Sequence, residues 1–348
     1  EKVYDGKPLT NDEVAVTGAG FVAGEGATYD VTGTQTAVGL SANAFTYTLN
    51  SNTKADNYTI TKVEGTLKVT ELTDKVTVTI TEHSSKETYD GTEKTVTGYD
   101  VEISNPLYTE ADFTFSGNAT VTGTDAGTYN MELKASDFTN NSKNFSNVEF
   151  VIVDGTLEIS KRSVTLTSAD DEKVYDRTAL TNSTITVDGD GFVDGEGASY
   201  DVTGSQTEVG SSDNMFSYTL NEGTKADNYT ITTTEGTLTV TALTDKVTVT
   251  ITENSGSEKY DGTEKIVTGY KVTNISNSLY TTDDFLFNGN DKVVGTDAGT
   301  YNMELKSADF TNNSKNFSNV EFVIVDGTLE ISKRTVTLTS LDSTKVYD

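Results

Sequence analysis

Asp125-Ala126-Gly127-Thr128-Tyr129-Asn130-Met131-Glu132-Leu133 returns unchanged as Asp297-Ala298-Gly299-Thr300-Tyr301-Asn302-Met303-Glu304-Leu305. Asp-x-Gly-x-Tyr leading into alternating polar and apolar residues is the sequence of a tyrosine corner, in which the Tyr hydroxyl bonds back to the chain entering a late strand. The unit it implies is a small β-sandwich. Around each corner stand an upstream Tyr-Asp-Gly and a downstream Gly-Thr-Leu-x-Ile, and no catalytic phrase competes with them.

Comparison of the chain with itself extends the pattern. Lys2-Val3-Tyr4-Asp5 recurs as Lys173-Val174-Tyr175-Asp176 and as Lys345-Val346-Tyr347-Asp348, steps of 171 and 172 residues. The extra residue lies just before Ile275, where a loop or bulge absorbs it. Each period contains two related halves with the same punctuation, giving four modules of roughly 80 to 90 residues. Their bounds are 1–72, 73–161, 162–243 and 244–333, with 334–348 as the first strand of a further module. Val76–Thr81, Val164–Thr167 and Phe45–Leu49 alternate with period two, apolar groups on one face and Thr on the other. Asp154-Gly155 and Glu64-Gly65 read as tight turns with Gly at positive φ. Helix is limited to one turn within 107–113. The junctions Glu71–Asp74 and Ser160–Arg162 are short and lack Gly/Ser or Pro linkers, so the expected fold is all-β: four small Ig-like antiparallel β-sandwich modules in an extended rod, ~120 to 160 Å long. A β-grasp-like module is the alternative.

Composition sets limits. The 348 residues carry a net charge of −29, with no Cys, no Trp, one His and two Pro. At 34% hydrophobic residues the chain can fill several small cores rather than one large one. Without Cys there is no disulfide, so packing and strand ladders must supply the stability. The dispersed acidic excess disfavours nucleic acid and anionic membranes as partners, and no apolar run is long enough for membrane insertion.

Little chemistry is legible. His83 is replaced by Asn254 at the matching position, which removes a repeated His-based nucleophile or metal centre. Carboxylates are abundant, but no hydrolase constellation emerges, and the expectation is a protein that is not an enzyme. Asp188, Asp190, Asp194 and Glu196 gather hard oxygen ligands on a Gly-rich loop and form the candidate metal site, for Ca²⁺. The matching loop of the first module retains only Glu25, which confines that candidate to the second period; no other cofactor is expected. Lys54-Ala55-Asp56-Asn57 and Lys225-Ala226-Asp227-Asn228 offer the residue types of an isopeptide bond.

Lys-Val-Tyr-Asp-Gly-Lys-Pro-Leu-Thr at 2–10, Thr-Tyr-Asp-Gly-Thr-Glu-Lys at 88–94 and the closing Gly-Thr-Leu resemble the YDG/MBG-type repeats of large bacterial surface adhesins. The corner resembles that of immunoglobulin-like domains. The resemblance covers essentially the whole chain and implies an extracellular repeat region at the bacterial cell surface, a stalk projecting a binding tip. The alternative is a multivalent array binding host glycan or matrix protein weakly at each module. Tyr4, Tyr89, Tyr129, Tyr175, Tyr260 and Tyr301 are the expected structural residues, each Tyr-Asp pair placing Tyr on the sandwich and Asp in the turn. Because Arg177 stands where Gly6 does, the turn is expected not to need Gly. The partners expected are neighbouring repeats or head-to-tail copies. Val336–Thr339 of one copy would fill the first-strand position that the first module lacks in the next, by covalent continuity or strand donation, building a filament.

Overall fold

The computed structural model describes residues 1–347. Two compact units are distinguished, one of residues 1–162 with 225–230, the other of 163–224 with the chain from 231 onward. Both are built from short strands in two- and three-stranded sheets, and helix among the described residues is limited to six single 3₁₀ turns. A β-grasp module needs a helix packed on its sheet, so that alternative is set aside. The turn expected within 107–113 is Glu110–Asp112, closed by a capping box from Thr109.

The repeated module is clearest in residues 76–160. Val76–Glu82 is the central strand of one sheet, between Val148–Val153 and Tyr99–Ile103. Its period-two pattern holds Val76, Val78 and Ile80 fully buried and turns Thr outward. The chain then changes sheets: Ser85–Thr88 joins Thr156–Ser160 and Gly127–Asn130. Two pairings are parallel, Val76–Thr81 with Val148–Val153 and Ser85–Thr88 with Leu157–Ser160, so the sandwiches are mixed rather than purely antiparallel. The second unit repeats this over Val247–Ser332. The one-residue insertion is absorbed as a register shift: Thr250 faces Asn274 and Ile251 faces Val272, leaving Thr273 as the bulged residue.

Three local expectations change. The strand after the tyrosine corner ends at Asn130, because Glu132 takes φ +63° and lets both Met131 and Leu133 reach the core. Gly155 is not at positive φ; a Cβ there would lie 2.3 Å from the His83 carbonyl oxygen, so glycine is required by close backbone approach. Residues 334–347 form no strand, and Leu338 is 93% exposed where its counterpart Leu166 is fully buried; Asp348 lies outside the described residues.

Candidate functional site

Each Tyr-Asp turn is an Asx-turn. The carboxylates of Asp5, Asp90, Asp176 and Asp261 accept the N–H two residues on, at 2.8–2.9 Å. Lys2, Lys94, Lys173 and Lys265 close on the same carboxylates. The Lys173 ammonium and then Thr178 hold Asp176 down to about 2, and the Lys94 and Lys265 pairs lower Asp90 and Asp261 further. The next residue is left-handed in all four: Gly6, Gly91 and Gly262 at φ +74°, +78° and +81°, and Arg177 at +67°. The turn therefore does favour glycine, contrary to the expectation, and Arg177 occupies a conformation that costs an L-residue roughly 1–2 kcal/mol.

The tyrosine that precedes the turn is anchored by its own N–H to the module's last strand, as Tyr4 N–H to Thr70 O and Tyr175 N–H to Thr241 O, both 2.9 Å. Its ring reaches past its own sandwich. In the first unit Tyr4 packs edge-on to Phe145, centroids 5.5 Å apart; in the second, Tyr175 meets Phe317 at 5.6 Å. Phe145 and Phe317 are seated against the buried Tyr108 and Tyr280 at 5.1 and 5.0 Å. The Tyr108 hydroxyl donates to Asn140 Oδ1 at 3.0 Å, and the Asn140 amide donates to Phe145 O. Burial pushes the Tyr108 phenol up to about 12 and raises Tyr280 too. Beside this platform Asn144 Oδ1 accepts Val38 N–H and Asn316 Oδ1 accepts Val209 N–H, each at 2.9 Å. The arrangement is an aromatic socket with polar locks, suited to fixing one module on the next within a unit.

Tyr89 is buried too, edge-on to Tyr229 at 5.6 Å, whereas Tyr260 is 37% exposed and is not packed inside. The corner tyrosines are half-buried, and their bonds are those expected: Tyr129 OH donates to Asp125 O at 2.9 Å and Tyr301 OH to Asp297 O at 3.1 Å. Each ring lies over Gly123 or Gly295, where a Cβ would clash at 2.4–2.5 Å. In the first unit the corner also receives residues 225–230. Lys225 Nζ sits 2.6 Å from Asp125 Oδ2, Asn228 Nδ2 donates to Asp125 Oδ1 at 2.9 Å, and Ala126 N–H donates to Asn228 Oδ1 at 2.8 Å. Lys225 lowers the Asp125 carboxyl, with Asn228 adding to it. Lys225 is a surface ion-pair partner with its side chain 64% exposed, not the buried amine an isopeptide requires.

The proposed calcium ligands are not brought together. Asp188 is in the strand Ile185–Gly189 opposite Thr165, and Asp190 Oδ2 accepts Ser163 N–H at 3.1 Å. Asp194 and Glu196 follow in the turn, and no metal-competent group of three carboxylates or imidazoles forms among the described residues. His83 bonds the Thr97 carbonyl through Nδ1 at 2.8 Å; Asn254 makes the same bond to Thr268 O at 2.9 Å, which explains their interchange.

Sequence reasoning missed Glu82 and Glu253. Both residues are 3% exposed at the sheet change. Glu82 Oε1 accepts Leu133 N–H and Oε2 accepts Gly155 N–H, both at 2.7 Å; Glu253 does the same for Leu305 and Gly327 at 2.6 and 2.7 Å. Ser168 takes this place in residues 162–243, accepting Gly236 N–H at 2.9 Å. The only sequence signal was an acidic residue on the apolar face of the Val76 and Val247 strands.

The profile of the family described as "MBG domain" matches residues 75–161 and 246–333. No curated protein matches the chain. Among solved structures, the chain is similar to the I9–I11 tandem of titin at 12% identity, covering 74% of this chain and all of that one, TM-score 0.18. It is also similar to the eight N-terminal Ig domains of the Down syndrome cell adhesion molecule, at 8% identity over 96% of this chain and 53% of that one, TM-score 0.17. A third is the SGBP-B protein of a Bacteroides ovatus mixed-linkage glucan utilization locus, at 11% identity over 72% and 66%, TM-score 0.13.

Proposed function

Because the chain belongs to the MBG-domain family, whose repeats occur in surface proteins, we propose that it is a force-bearing spacer: the stalk of a bacterial surface adhesin, extracellular, holding a binding tip away from the cell. The observation that carries this reading is the parallel pairing at both ends of the module. A chain pulled along its length loads Val76 toward one end and Ser160 toward the other. Because Val76–Thr81 runs parallel to Val148–Val153, and Ser85–Thr88 to Leu157–Ser160, that load slides strands along one another. All bonds of a sheared ladder must yield together, whereas an unzipped ladder yields one bond at a time. Asp171–Val174 with Leu238–Thr241, and Val247–Thr252 with Val320–Val325, repeat the arrangement. The aromatic sockets add stiffness within each unit, and no helix of the described residues is long and apolar enough to cross a membrane.

The test is single-molecule pulling. Handles at the chain ends should give discrete steps at high force, and handles at Lys75 and Asn147, at the same end of one parallel pair, should open that module at distinctly lower force. Equal forces in the two geometries would refute the load-bearing role.

A further inference from the structure

The sheets built on Val76–Glu82 and on Val247–Glu253 each have one edge that is left unguarded. Val148–Val153 stands outermost beside Val76–Glu82, and Val320–Val325 holds the same place beside Val247–Glu253. Val76 N–H donates to Asn147 O, and Val247 N–H to Asn319 O, both at 2.9 Å. In a parallel ladder alternate residues face the partner strand, so Glu149, Val151 and Val153 direct their N–H and C=O groups to Val76–Thr81. Val148, Phe150 and Ile152 turn theirs away from it, and no strand of the described residues lies on that side.

A free edge is usually blunted by charge, proline or a bulge. The opposite edge of the same sheet, Tyr99–Ile103, carries Asp100 and Glu102, and Ser85–Thr88 at the edge of the second sheet carries Lys86 and Glu87. The strand that takes this place in residues 162–243, Tyr229–Thr234, is threonine at four of its six residues. Val148–Val153 is instead apolar at five of six, and its register on Val76–Thr81 is unbroken. Val151 and Val153 are 38% and 45% exposed, Val323 and Val325 39% and 45%. The whole segment from Val148 to Ser160 returns unchanged from Val320 to Ser332.

What fits this edge is the same edge. The one charge on the strand is neutralised within its own module: Glu149 is paired with Lys75, and Glu321 with Lys246 at 2.6 Å. Run antiparallel about Phe150, two copies set Val148 opposite Ile152 and Glu149 opposite Val151. The free N–H and C=O groups of Val148, Phe150 and Ile152 then meet one another, and no like charges stand directly opposite. Phe150, half-buried on Phe113 and Phe138 with ring centroids 5.3 and 5.5 Å away, gains cover from its own counterpart.

We propose that Val148–Val153 and Val320–Val325 are docking strands for a second copy of this chain, which joins side by side through antiparallel edge-to-edge pairing. Because the two edges are identical in sequence, either can meet either. The net charge of −29 opposes the approach of copies, so the association strengthens as salt screens that repulsion, whereas a contact made of ion pairs would weaken. The inference stands apart from the load-bearing reading, since these edges can pair in a chain that resists no force.

Sedimentation velocity of the whole chain from ~1 μM to ~0.1 mM, in ~0.05 M and ~0.5 M salt, tests it. Concentration-dependent oligomers are expected, stronger at the higher salt. Hydrogen exchange locates the contact: the N–H groups of Phe150, Ile152, Phe322 and Ile324 should slow by ~10-fold or more on assembly, while Val151 and Val153, already bonded within the module, should not change. Val151→Lys combined with Val323→Lys puts charge at two exposed positions and should weaken association by ~100-fold, with the chain still folded by circular dichroism. A chain that stays monomeric at ~0.1 mM in ~0.5 M salt, or oligomers that leave Phe150 and Ile152 unprotected, would overturn the proposal. Protection of those groups in a monomeric chain only when a Thr-Val-Thr-Val-Thr-Val peptide is added would overturn it as well, by showing that the edge takes a foreign strand and not its own copy.

Discussion

Replacing Glu82 with Gln tests whether the module is fastened at its sheet change by one carboxylate. Glu82 gives each oxygen to a buried backbone donor, Leu133 N–H and Gly155 N–H, both at 2.7 Å. Gln keeps one carbonyl acceptor and turns an NH₂ group toward the other donor, so one N–H loses its partner and the other loses charge assistance. A buried donor left unsatisfied costs ~1–3 kcal/mol, and a hydrogen bond to a charged group contributes ~1.5–3 kcal/mol. The net loss should be ~2–3 kcal/mol, the recovered desolvation of the carboxylate offsetting part of it. Hydrogen exchange reads this locally: ~30- to 150-fold faster exchange at Leu133 and Gly155. The repeat supplies an internal reference, because Leu305 and Gly327 are held by Glu253 and should not change. Exchange at Leu133 and Gly155 that stays level with that reference would refute the reasoning.

Arg177→Gly should stabilise its turn by ~0.5–1 kcal/mol, relief of left-handed strain exceeding the added freedom of the unfolded chain, and should slow exchange around Tyr175–Thr178. Tyr129→Phe should cost ~1 kcal/mol through the bond to Asp125 O, visible as faster exchange over Gly127–Asn130; unchanged exchange would remove the corner from the stabilising contacts. Asp125 has its folded pKa lowered, chiefly by Lys225, so its contribution is present above the unfolded value of 3.8 and is lost as pH falls through the folded value. NMR of the Asn228 side-chain amide should follow that loss, and Lys225→Met should move it to higher pH. His83 is raised, first by its bond to the Thr97 carbonyl and then by Asp100, so its stabilisation is complete below 6.5 and is lost as pH rises through the folded value. His83→Asn, which copies Asn254, should abolish that dependence in a thermal-melt series while keeping the bond.

What the sequence determined by itself is local. The alternation of Val76, Val78 and Ile80 specified a one-sided strand because side chains on a pleated backbone alternate faces. Asp followed two residues later by a backbone donor specified the turn, and Asp-x-Gly-x-Tyr specified the corner, since every atom in those bonds lies within a few residues. The repeat located the insertion that became the Thr273 bulge. Even here the inference from Arg177 failed, because one substitution shows that a strained φ is tolerated, not that it is absent. Tertiary structure decided everything that joins distant segments. It gave Glu82 two donors 51 and 73 residues away and converted an oddity on an apolar face into a fastening. It made Gly155 necessary through a crossing backbone rather than through its own φ. It sent the ring of Tyr4 to Phe145 and set Asp188 opposite Thr165 in a paired strand, with Asp194 in the turn that follows. The physical reason is common to all four: a residue type states which bonds it can make, and only the packing of segments far apart in the chain determines which partner comes within reach.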